Sequence, residues 1–318
     1  MEWLLVGLGL VILLLAGDAL VKGAVNLSLR VGIPALIVSL TIVAFGTSAP
    51  ELLISIKAAL AGVPGIAMGN VVGSNTANVL LVLGIPAMLT TLHTSEVNSR
   101  KTYVQMLIAS VLFIGLAFTG EFNAPIGLIL LAALATMLTL AYLDARKHRR
   151  AEKAAAALAD DEEVEGADPD MPWWQIIVFL VLGLVGLPLG ADLLVDNASV
   201  IAQRYGVSDT VIGLTLVAVG TSLPELATTV MAALRRQADV ALGNVIGSNM
   251  FNLLAIIGVA SLVAPIPVDQ SFLTFDLWVM LAASLVLIPF VFLGRNLTRL
   301  WGVILTAAYV GYVVIVLS

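Results

Sequence analysis

The segment GTSAPELLISIKAALAGVPGIAMGNVVGSNTANVL, Gly46–Leu80, decides how this chain folds. It aligns without gaps to GTSLPELATTVMAALRRQADVALGNVIGSNMFNLL, Gly220–Leu254. Glu51 matches Glu225 and Asn78 matches Asn252, both at a spacing of 174 (225 − 51 = 252 − 78). Between 41–80 and 215–254, 21 of 40 positions are identical: seven, five, three and six in successive tens. Two unrelated apolar helices would agree at Leu and Val. Here the agreement falls on Gly, Thr, Ser, Pro, Glu and Asn, which hydrophobicity alone does not supply.

The surroundings are lipid-soluble. Of 318 residues, 60% are hydrophobic and 11% charged, whereas a soluble domain carries about 25% charged residues. The apolar runs are about 20 residues long, the length that crosses a bilayer as a helix. The first begins at Trp3 with no basic stretch before it, so it reads as a span and not a removed signal peptide. The absence of cysteine excludes disulfides and thiolate metal sites. Most of the net charge of −6 is explained by one acidic stretch, DDEEVEGADPD at Asp160–Asp170. No basic patch interleaved with aromatics supports nucleic-acid binding, and nothing calls for an obligatory protein partner.

Runs and breaks predict an all-α integral membrane protein with ten transmembrane helices, near 3–29, 33–60, 66–91, 102–119, 124–143, 173–200, 207–234, 240–264, 274–293 and 299–317. The repeat divides the chain into a first five-helix half, 1–143, a polar linker, 144–172, and a second half, 173–318. The linker opens with ARKHRR and ends acidic, a composition that suits a solvated connector. Five spans separate each residue from its counterpart, an odd number, so the second half is expected to be inverted. Basic residues test this separately: 13 of the 15 Lys and Arg fall on one side, Lys57 and Arg204 being the others. The positive-inside bias then places the linker in the cytoplasm and both termini outside, as in a prokaryotic inner-membrane protein.

Inverted repeats with interrupted helices are a mark of secondary transporters, whose sites lie near the midplane between the halves. Pro50 has no N–H for the carbonyl of Gly46, and Gly46 relaxes the backbone; Pro224 and Gly220 repeat the arrangement. Such freed carbonyls are tolerated in a bilayer only where protein, water or an ion satisfies them. Thr47 and Glu51 are four apart and share a helical face, as do Thr221 and Glu225, Ser74 and Asn78, and Ser248 and Asn252. Paired across a pseudo-two-fold axis, these faces would enclose oxygens and two negative charges, a hard-cation site with a charge that balances one divalent ion. A deformable cage of oxygens suits Ca²⁺ better than Mg²⁺.

Other readings fare less well. A buried Glu can be protonated and structural, but two at matching positions in a G-T-S-x-P-E context favour function. Ser and Thr hydroxyls often bond only a carbonyl one turn earlier; Thr47, Ser48, Thr221 and Ser222 stand out because they flank the break. Gly69 and Gly243 are expected to serve helix packing. Asp18 and Asp192 match in register, with either an ion-pair or an entry-path role open to them. The two histidines, His93 and His148, fall in polar loops, so no intramembrane Ser–His pair exists and an enzyme is not expected. A cation channel would call for a tandem filter motif, which the two halves lack.

The paired G-T-S-x-P-E and G-N-x-x-G-S-N-x-x-N segments resemble the sodium/calcium exchangers of the calcium/cation antiporter superfamily, above all its prokaryotic branch. The resemblance covers nearly the whole chain. It implies electrogenic Na⁺/Ca²⁺ antiport by alternating access, with no cofactor beyond the transported ions. Glu51 and Glu225 would be shared Ca²⁺ and Na⁺ ligands, joined by the carbonyls of Thr47 and Thr221. Ser48, Ser74 and the carbonyl of Ala44 would line one Na⁺ site, with Ser222, Ser248 and the carbonyl of Ala218 lining its counterpart. Asn78 and Asn252 would sit beside the centre. Many such exchangers carry an aspartate at the position of Asn252, and its absence here leaves H⁺/Ca²⁺ exchange as the alternative.

Overall fold

Proline, glycine and polar punctuation divide the chain into helices in the computed structural model, in which residues 1–155, 168, 170–206 and 218–317 are described. The helices are α1 (Glu2–Val31), α2 (Ala35–Thr47), α3 (Ala49–Leu60), α4 (Pro64–Leu89), α5 (Arg100–Ala117) and α6 (Ala124–Ala155). They continue with α7 (Trp173–Arg204), α8 (Ala218–Thr221), α9 (Leu223–Leu234), α10 (Ala238–Val263), α11 (Phe272–Phe292) and α12 (Arg299–Leu317). Among the described residues, eight are long and apolar enough to cross a membrane, or nine with the bent pair α2–α3 counted as one span. The seventh expected span begins in 207–217, outside the described residues. So do linker residues 156–167 and 169, although α6 carries the helix beyond the expected end at 143 to Ala155.

The breaks follow local chemistry. Gly32 closes α1 in the left-handed region (φ 70°), its N–H bonding to the carbonyl of Ser28 at 2.8 Å, the usual glycine termination. The turn after α3 uses Gly62 at φ 71°, and the matching turn after α9 uses Arg236 at φ 56°. Both are closed by the same bond, Val63 N–H to Ala58 at 3.0 Å and Gln237 N–H to Ala232 at 2.8 Å. The chain bends by 44° between α2 and α3, where Pro50 enters the first turn of α3.

The helices pack as two groups whose cores interlock. Leu13, Ala16, Leu20 and Ala24 of α1 cluster with Leu187 and Ala191 of α7. These helices run antiparallel: Arg204 makes a two-bond ion pair with Glu2 at 2.7 and 3.0 Å. They approach closely because a Cβ on Gly183 would lie 2.5 Å from that of Leu20, and one on Gly190 2.9 Å from the backbone of Leu13. Close approach through small residues is how helices gain contact where water supplies no drive. The larger core draws on both halves, from Met68 and Val71 to Val245 and Ile246. At its centre stand α4 and α10, 83% buried over their most apolar windows, against 17% for α12. Both contain a turn of π-helix, at Asn78–Val82 and Phe251–Ile256, a feature frequent at functional sites. Two short pairings, Glu121–Phe122 with Ile266–Pro267 and Leu92 with Leu297, also join the halves.

Candidate cation site

Two helix breaks bring the carboxylates to the core. Glu51 lies in the first turn of α3 and Glu225 in the first turn of α9, each just after its proline. They are 1% and 0% exposed, where an unpaired carboxylate is costly. Ser48 at the first break reaches across the halves and donates its hydroxyl to Oε1 of Glu225 at 3.1 Å. Ser248 of α10 donates to the same oxygen at 3.4 Å. The Thr47 hydroxyl lies 3.4 Å from that of Ser248 and 3.3 Å from both Oδ1 of Asn244 and the carbonyl of Ala44. Thr47, Ser48, Ser248, Asn244 and Glu225 therefore form one cross-half cluster.

The remaining polar atoms point to a ligand. Both oxygens of Glu51, Oε2 of Glu225, Oγ of Ser222, Oδ1 of Asn78 and both side-chain polar atoms of Asn252 are buried without a protein partner. Native interiors leave few such atoms unpaired; these are seven of the ten among the described residues, and six of the seven are oxygens. Carboxylate, hydroxyl and amide oxygens are the donors a hard cation takes. Ser74 is buried as well, Thr221 is half-buried, Ala44 is enclosed, and Ala218 opens α8. Among the described residues no three His, Cys, Asp or Glu converge, and the buried acidic side chains are Glu51 and Glu225.

Three observations go beyond the sequence reading. Asn70 donates Nδ2 to the carbonyl of Glu51 at 3.1 Å and to Ser55 Oγ at 3.0 Å. Asn244, at the matching position, donates to the carbonyl of Glu225 at 3.3 Å and to Thr229 Oγ1 at 3.1 Å. The alignment contained that signal, since both asparagines are identical in the repeat. Gly46 and Gly220 act differently from expectation: neither has a positive φ. Their smallness lets α7 approach the breaks, for a Cβ on Gly46 would collide with Leu184 and one on Gly220 would lie 2.5 Å from Val195. Asp18 is resolved as an ion-pair residue, its carboxylate accepting Nε and Nη2 of Arg235, the latter at 2.9 Å; Asp192 is exposed.

Gly243 packs as expected, a Cβ there falling 2.6 Å from the carbonyl of Leu36. For Gly69, no described residue would lie within 4 Å, and the segment that matches 33–43 is 207–217, outside the described residues.

Known proteins resemble this chain in sequence and in fold. The profile of the sodium/calcium exchanger protein family matches residues 1–143 and 175–318. The putative antiporter CaxA of Alkalimonas amylolytica is 38% identical over 96% of this chain and 95% of its own. The sodium/calcium exchanger MaX1 of Methanosarcina acetivorans is 35% identical over 99% and 98%. The structure of the sodium-calcium exchanger NCX_Mj soaked with Na⁺ and Sr²⁺ superposes with a TM-score of 0.81 at 30% identity, covering 98% of this chain and 97% of that one. Many apolar helices and such relatives make this an all-helical, multi-pass integral membrane protein. The chain belongs to the sodium/calcium exchanger family.

Proposed function

We propose that the protein is a secondary antiporter that exchanges Na⁺ for Ca²⁺ by alternating access, its ions bound between two inverted five-helix halves of a ten-span chain. The observation that carries this reading is the pair of buried glutamates, 174 residues apart, with unpartnered oxygens among buried hydroxyls and amides. Two carboxylates balance one Ca²⁺, and Na⁺ competes for the same oxygens, so occupancy by one ion excludes the other. Glu51 and Glu225 are the shared ligands, with the carbonyls of Thr47 and Thr221. Ser48, Ser74 and the Ala44 carbonyl serve one Na⁺ position; Ser222, Ser248 and the Ala218 carbonyl serve the other. Asn78 and Asn252 flank the centre. The basic residues orient the linker to the cytoplasm, and the prokaryotic relatives suit an inner membrane.

Proton-coupled Ca²⁺ exchange on the same glutamates is the second reading, favoured by the uncharged Asn252 at the position where many exchangers carry an aspartate. The hydroxyls around Glu225 favour Na⁺, because a proton requires no such cage. Uptake of radiolabelled Ca²⁺ into vesicles, driven by an outward Na⁺ gradient or by a proton gradient, separates the two. Uptake that ignores Na⁺ overturns the first.

A further inference from the structure

The two glutamates hang from helices that a pair of asparagines grips. With both Glu51 oxygens and Oε2 of Glu225 lacking protein partners, side-chain bonds alone do not set where these carboxylates point. The backbone beneath them does, and Nδ2 of Asn70 or Asn244 bonds the glutamate's own carbonyl. A carbonyl only accepts, so the amide nitrogen, and not its oxygen, must face it. The second hydrogen of each amide goes to the hydroxyl four residues further on, Ser55 Oγ or Thr229 Oγ1, one turn along the same face. Each asparagine thus holds two points of α3 or α9 against α4 or α10, the helices that carry Ser74 and Asn78 or Ser248 and Asn252. Two points resist both rotation and axial sliding; one point resists neither fully. Asn244 is 0% exposed and its oxygen also accepts the Thr47 hydroxyl at 3.3 Å, which ties the first-half break to the second-half glutamate.

We propose that Asn70 and Asn244 are positioning residues of the cation site, setting the height and rotation of the helices that present Glu51 and Glu225. This rests on the reading that those glutamates bind the transported cations. Asparagine fits the task because aspartate offers no N–H and would set a negative oxygen against a carbonyl.

The test is equilibrium Ca²⁺ binding by calorimetry on the full-length purified protein, beside vesicle exchange and thermal melting. Asn70→Ala and Asn244→Ala are expected to weaken Ca²⁺ binding about tenfold, the scale of one or two lost hydrogen bonds, and Asn244→Asp more than Asn244→Ala. Should the asparagine variants fail to fold, Thr229→Val and Thr229→Ser decide: valine is expected to weaken binding about threefold, whereas serine, which keeps the hydroxyl, restores it. A purely structural role would lower the melting temperature of these variants while the folded protein bound Ca²⁺ normally, and that result overturns the proposal. Wild-type protein that binds Ca²⁺ but ignores a Na⁺ gradient refutes Na⁺ coupling and leaves the positioning role standing. Wild-type protein that binds no Ca²⁺ refutes both.

Discussion

Ser48, in the first half of the chain, donates its hydroxyl to Oε1 of Glu225 in the second half at 3.1 Å. The two lie 177 residues apart in sequence and are both buried. A hydrogen bond to a charged group contributes about 1.5–3 kcal/mol. Ser48→Ala removes the shorter of the two hydroxyl contacts to that oxygen, the other being Ser248 at 3.4 Å. Apparent Na⁺ affinity is expected to fall at least about tenfold, read from the Na⁺ dependence of Ca²⁺ efflux from vesicles.

Glu51→Gln and Glu225→Gln keep the shape of each side chain and remove its charge. Loss of a buried charge from its partner costs about 3–5 kcal/mol, so exchange is expected to fall by about 100-fold or more. For Glu51→Gln the size-exclusion profile in detergent should stay like the wild type, because Glu51 has no protein hydrogen bond through its carboxylate to lose. Near-normal Ca²⁺ uptake in either variant would remove these residues from the site.

Gly190 sits where a Cβ would come 2.9 Å from the backbone nitrogen of Leu13. Backbone cannot turn aside as a side-chain end can, so Gly190→Ala must push α1 from α7. Overpacking of this kind costs about 1–3 kcal/mol. A lower melting temperature is expected, and an unchanged one would show that the helices separate freely.

Arg236 occupies the left-handed region at φ 56°, where its counterpart in the first half is Gly62 at φ 71°. The left-handed conformation costs a side-chain-bearing residue about 1–2 kcal/mol. Arg236→Gly should therefore raise thermal stability by roughly 1 kcal/mol, and Gly62→Ala should lower it by a similar amount. Chemical denaturation in mild detergent measures both signs.

Asp18 and Arg235 join α1 to the end of α9, their side chains 30% and 29% exposed. At that exposure, solvent screens much of the attraction, and a coupling of about 1 kcal/mol or less is expected. A double-mutant cycle with Asp18→Asn and Arg235→Gln isolates it. A coupling indistinguishable from zero would mean that the pair does not hold α1 to α9.

Parts of this architecture stand openly in the sequence because each has a one-dimensional cause. Apolar runs are as long as a bilayer is thick, and so the expected span at 3–29 appears as Glu2–Val31 and that at 240–264 as Ala238–Val263. Pro50 and Pro224 lack an N–H wherever they stand, which puts a helix start at each. The repeat makes Asn70 and Asn244 equal before any contact is known, yet their task is invisible there, since an amide shows no direction until its carbonyl partner is in place.

By itself, the sequence determined the helical membrane class, the twofold repetition and the residues worth examining. These follow from composition, period and identity, which need no knowledge of what lies beside what. Only the tertiary structure decided which half serves which carboxylate: Ser48 and Thr47 turn to the Glu225 cluster, while both oxygens of Glu51 stay without a protein partner. It also showed that Gly46 is small to admit Leu184 and that Asp18 meets Arg235 rather than a neighbour one turn away. Hydrogen bonds and close packing act between atoms brought together by the crossing of helices, and residues nearly two hundred positions apart carry no mark of that meeting in their order.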